Sequence, residues 1–85
     1  MIRWRATGKI VKANGEKTVF YRGDGTDYRI ESRTRWIQNN KNNGRRLFTT
    51  YVVLLVDEVV TEEYSLTDAK LYVEGLMKGD RDGTD

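Results

Sequence analysis

Apolar and polar residues alternate along much of this chain, and one stretch breaks the alternation. Tyr51-Val52-Val53-Leu54-Leu55-Val56 is an unbroken apolar run. A helix needs about 20 apolar residues to cross a bilayer, so this run is too short to span one. Its β-branched content makes it a central strand with both faces covered. Elsewhere the period is two. Ile2, Trp4 and Ala6 alternate with Arg3 and Arg5, the pattern of a half-buried strand, interrupted near Gly8 and resumed by Ile10 and Val11. From Tyr28 to Ile37, Tyr28, Ile30, Ser32, Thr34 and Trp36 share one face, while Arg29, Glu31, Arg33 and Arg35 share the other. Tyr28 and Trp36 read as core residues because they lie on the face of Ile30.

Turn residues punctuate these strands. Asn14-Gly15 lies between Val11 and Val19. It predicts a type I′ hairpin pairing residues 9–13 with 16–22, because that turn needs positive φ at both central positions. Arg22 to Asp27, with two glycines and two aspartates, is the next turn. Gln38 to Gly44 holds four asparagines and reads as a flexible loop, after which the central strand spans Leu47 to Val56. Asp57-Glu58 is a tight turn into a short strand, Val59 to Tyr64, or a bend in one continuous strand. At Ser65 the period changes. The Ser65 hydroxyl can cap the Asp68 N–H, and Leu66, Ala69, Tyr72, Val73, Leu76 and Met77 fall on one helical arc. Leu71 falls outside that arc. Gly79 is the expected stop.

The pattern therefore predicts an α+β fold. A curved antiparallel sheet of four to five strands carries one C-terminal α-helix (about 66–78), within one globular domain over 1–79 and a flexible polar tail over 80–85. One helix covers one face of a sheet. The other face of the apolar run must be closed by curling of the sheet into a barrel-like core, by a second copy of the chain in a homodimer, or by a partner.

Composition narrows the chemistry. The 85 residues include no histidine, cysteine or proline. The usual general base near neutral pH and the thiolate nucleophile are both missing, which argues against an enzyme. Asp24-Gly25-Thr26-Asp27 recurs as Asp82-Gly83-Thr84-Asp85. The spacing is not that of an EF-hand and reads as turn chemistry, so no metal or cofactor is expected. Arg22-Gly23-Asp24 likewise reads as turn sequence. Met1 to Arg5 is charged with no apolar core behind it, so a cytoplasmic protein without a membrane partner is expected.

Charge changes the picture most. The net charge of +2 conceals an asymmetry: residues 1–46 carry twelve Lys/Arg against four Asp/Glu, a net of +8, and residues 47–85 carry three against nine, a net of −6. The two halves either neutralise each other on folding or present a basic face to an anionic partner. Arg29, Arg33 and Arg35 project from one strand face, next-but-one side chains being about 6.6 Å apart, comparable with a phosphate repeat. Lys41, Arg45 and Arg46 add charge at one end. Trp4 or Tyr21 could stack on bases. A nucleic-acid-binding sheet face is one expectation. The other is a protein partner engaged by Leu71 and by Glu58, Glu62 and Glu63.

The segment Leu54 to Lys70 resembles the strand–turn–strand–helix ending of short bacteriophage-encoded proteins, which continue into a Ser/Thr-Leu-x-x-Ala-Lys helix start. The resemblance implies a small binding protein in the host cytoplasm. Such proteins include DNA-binding modules with a sheet and a C-terminal helix, and inhibitors or modulators of host defence or replication proteins.

Overall fold

The clearest period-two segment and the apolar run pair with each other. In the computed structural model, which describes residues 2–39 and 44–82, β3 (Tyr28–Asn39) and β4 (Gly44–Leu55) form a long antiparallel hairpin. Its register is unbroken from Tyr28↔Leu55 to Asn39↔Gly44. Each strand has 12 residues, so the hairpin runs about 40 Å and dominates the 53 × 27 × 20 Å molecule. β1 (Trp4–Val11) and β2 (Lys17–Gly23) flank it on one side and β5 (Glu58–Glu63) on the other. The order β1-β2-β3-β4-β5 is a simple antiparallel meander, with β1 and β5 as its two edges. The sheet is open, so the barrel-like closure is not how the second face is covered.

The strand interruption near Gly8 is a β-bulge: the β1–β2 register skips Thr7 between Ala6 and Gly8. The Asn14-Gly15 turn differs from the expected type I′. Among its residues only Gly15 has positive φ (93°). The Gly15 N–H donates to the Lys12 carbonyl at 3.1 Å, and the Lys12 N–H to the Glu16 carbonyl at 2.8 Å. The Asn14 side-chain oxygen accepts the Glu16 N–H at 3.0 Å. This local bond leaves Asn14 at negative φ and moves the left-handed position to Gly15 alone, giving a three-residue loop with a glycine bulge.

The loop expected over 38–44 is shorter, because pairing continues to Asn39 and resumes at Gly44. Lys41 lies outside the described residues. Between β4 and β5 the chain makes a tight turn at Val56-Asp57, closed by Leu55↔Glu58, one residue earlier than expected. Val56 has φ 58°, a conformation that a β-branched side chain resists.

The helix α1 (Leu66–Asp82) starts where predicted, the Asp68 N–H donating to Ser65 Oγ at 3.0 Å. It continues past residue 78 and through Gly79. Glycine within a helix costs about 1 kcal/mol relative to alanine, too little by itself to end the helix there. Ala69 and Val73 of α1 are buried against Ile30 and Val53 of the sheet. Trp4, Tyr21 and Tyr28 pack around this core, so Trp4 and Tyr21 face the helix side and are not the exposed stacking residues expected. Gly23 permits this packing: a Cβ there would meet Ile2 and Thr26 at 2.9 Å and Trp4 at 3.3 Å. The helix does not reach the far end of the long hairpin. Trp36 shares the face of Ile30 as expected, yet it is 38% exposed and its neighbour Leu47 is 42% exposed.

Candidate nucleic-acid interface

Directly opposed residues in an antiparallel ladder project to the same side. The register therefore sorts every side chain of the sheet. Ile30 pairs with Val53 on the helix side. The other side collects Arg5, Arg22 and Arg29 in one cross-strand row through the pairs Arg5↔Arg22 and Arg22↔Arg29. Along β3 it adds Arg33 and Arg35. Beyond Arg35↔Phe48 it adds Arg46 through Ile37↔Arg46. Of the basic residues singled out in the sequence, Arg29, Arg33, Arg35 and Arg46 thus share the face opposite the helix. Arg45 does not: it lies over the Trp36 ring at 5.9 Å on the other side.

The guanidinium groups are not equally free. Arg29 Nη2 donates to the Val56 carbonyl at 2.7 Å and to Asp57 at 3.2 Å, steadying the strained turn. Arg33 is held by Glu31 at 2.8 Å, and Arg5 by Asp24 at 2.8 Å. Arg35 reaches the carbonyls of Lys17 and Thr34 and the Thr18 hydroxyl, all neutral acceptors. Among the described residues, Arg22, Arg35 and Arg46 have no carboxylate partner. Exposed ion pairs are worth little, so the paired arginines can also turn to an incoming anion.

Aromatic rings stand among these cations. Arg46 lies 5.5 Å over the Phe48 ring. Phe48 in turn meets Tyr64 edge-on, with ring centroids 5.9 Å apart and planes at 61°. Tyr64 is 71% exposed. On the same face Val52 (1% exposed) and Leu54 (6%) are buried without an overlying helix. Their register partners are the long side chains Glu31, Glu62 and Arg29, which can lie along them.

Glu16 anchors the rim of this surface. It accepts bonds from Asn14 Nδ2 and from the Trp36 backbone N–H, each at 3.1 Å. Those two bonds hold its carboxyl below the ordinary range; desolvation opposes them, and the nearby Lys12 and Arg35 charges add smaller lowering contributions.

The residues expected to meet a protein partner do not form one surface. Glu62 pairs with Val52 and Glu63 with Tyr51, so the two project to opposite faces. Glu58 pairs with Leu55 beside the β4–β5 turn. Leu71, 59% exposed, lines a groove of about 640 Å³ between α1 and the β2–β3 turn, with Ile2, Thr26 and Met77.

Phe48, Tyr64 and Arg22 were not singled out in the sequence. In β4, Phe48, Thr50, Val52 and Leu54 alternate with Leu47, Thr49, Tyr51 and Val53, and neither set is more polar. Only pairing to the strongly patterned β3 reveals which side Phe48 takes. No helix among the described residues is long and apolar enough to cross a membrane. The fold is that of a small α+β protein with an open antiparallel meander and one C-terminal helix. Comparison with known families, curated proteins and solved structures finds no match for this chain.

Proposed function

We propose that this is a small non-enzymatic protein that binds nucleic acid through the helix-free face of its sheet. One observation carries the reading: Arg22, Arg35 and Arg46, none with a carboxylate partner among the described residues, share that face with Arg5, Arg29 and Arg33. A row of guanidinium groups across three strands, continued along the third and joined by Arg46 of a fourth, supplies several phosphate contacts at once. The resemblance of the Leu54–Lys70 ending to phage-encoded proteins agrees with such a role.

Binding of labelled oligonucleotides across a salt series tests it. Affinity falls steeply with salt, and Arg22→Ala and Arg46→Ala each lower the slope of log K against log salt by about one. Among the described residues neither side chain makes an ion pair, and the Arg46 contact is with the Phe48 ring on the helix-free face, so both variants keep the fold. No binding to duplex DNA, single-stranded DNA or RNA at low salt overturns the reading. Capture from lysate that survives nuclease would then favour a protein partner at the Leu71 groove, as an inhibitor or modulator of a host protein.

A further inference from the structure

We infer that Tyr64, braced by Phe48, is a base-stacking step that makes the helix-free face a site for an unpaired polynucleotide strand. The inference rests on the reading of that face as a nucleic-acid surface and adds which form of nucleic acid it takes.

Tyr64 is 71% exposed, and its ring contributes little to the core. It follows Glu62 by two positions at the end of β5, and it touches Phe48 edge-on at 5.9 Å. Phe48 is the register partner of Arg35 and carries Arg46 at 5.5 Å over its ring. Two rings and the Arg46 guanidinium are thus gathered in one small area, and the Arg35 guanidinium, turned towards Lys17 and Thr18 of β2, lies on the same face one strand away. A strand laid there sets phosphates on Arg35 and Arg46 and a base on the open side of Tyr64. In a duplex the base faces are already stacked on one another, so a duplex uses the arginines alone.

The other cation–ring pair is already accounted for. Trp36, under Arg45, donates its indole N–H to the Asn14 carbonyl at 2.7 Å, and its backbone N–H is taken by Glu16. That ring braces the β1–β2 turn against the long hairpin. Tyr64 has no such bond among the described residues, and its ring is available to a ligand.

The test compares the full chain on oligo(dT) of about 12 nucleotides, a length within the usual range for one binding module, and on a duplex of the same length. Oligo(dT) binds more tightly. Tyr64→Ala weakens oligo(dT) binding about tenfold or more, in line with loss of one stacked base, and leaves duplex affinity and the salt slope unchanged. Tyr64→Phe retains tight binding. Circular dichroism verifies that both variants stay folded. Equal affinity for the two ligands, or Tyr64→Ala without effect on oligo(dT), overturns the inference while leaving the basic face as a nucleic-acid surface. Binding of neither ligand overturns both.

Discussion

Glu16 shows how one side chain can replace part of a strand ladder. β2 pairs with β3 as far as Lys17↔Thr34, and the chain then turns away. The Trp36 N–H would lose its partner there, but the Glu16 carboxylate accepts it at 3.1 Å while Asn14 holds the second oxygen. Both bonds favour the ionised carboxyl, which therefore titrates below its ordinary value near 4.5 in the folded protein. A depressed folded value means the anchoring is fully present above about 4.5 and is lost as pH falls through the folded value. Glu16→Gln should be less stable than wild type at neutral pH, and the difference should shrink on acidification below about pH 4.5. Denaturant titrations read by tryptophan emission at neutral and acidic pH measure this. A constant difference across that range would exclude the linkage.

Among the elements, the β4–β5 hairpin carries a conflict between local and tertiary demands. Val56 sits at φ 58°, where a β-branched side chain is strained by roughly 1–3 kcal/mol. Three contacts hold it there: the Val56 N–H reaches the Asp27 carbonyl, and Arg29 grips the Val56 carbonyl and Asp57. The side chain is 60% exposed and buries little. Val56→Gly should raise stability by about 1 kcal/mol, the relief of strain exceeding the added freedom of the unfolded chain. The urea midpoint checks this, and a lower midpoint would show that the valine side chain stabilises the turn. The strain explains why the sequence left this turn open between a hairpin and a bend, since Val-Asp lacks a glycine or asparagine to mark a positive φ. By contrast the Ser65 cap and the strand interruption near Gly8 were legible, because the former is a side-chain bond within one turn and the latter is marked by a glycine; that the interruption is a bulge at Thr7 came from the register.

For the whole molecule, the core is small and one-sided. Ile30 and Val53 of the sheet and Ala69 and Val73 of α1 form its buried centre at the helix–sheet interface. Ile30→Ala should cost about 2–5 kcal/mol, a large share of the total for a domain of this size. Leu71→Ala, at an exposed helix position, should stay within about 0.5 kcal/mol. Chemical denaturation of the two variants side by side decides this. Near-equal costs would mean that the helix does not dock as described. The charge split, +8 in residues 1–46 and −6 in the remainder, resolves at this scale as well. The Arg5–Asp24, Arg33–Glu31 and Lys12–Glu16 pairs join partners within the basic half, and among the described residues only Arg29–Asp57 crosses between the halves. The acidic half neutralises little of the excess, and the sheet face stays basic.

By itself the sequence determined what short-range physics controls: four to five strands and a helix, the interruption by Gly8, the cap at Ser65, and the two polarities of β3. Each follows from dihedral preference, hydrogen bonding within one turn, or the alternation of side chains along one strand. The tertiary structure decided what depends on partners far along the chain. It set which side of the apolar run the helix covers, because β4 has no polarity contrast to declare it. It left Trp36 outside the core, because the helix lies across only one end of the long hairpin. It also brought Phe48 and Tyr64 together among the arginines, a neighbourhood set by the register of β3 on β4 and by where β5 ends.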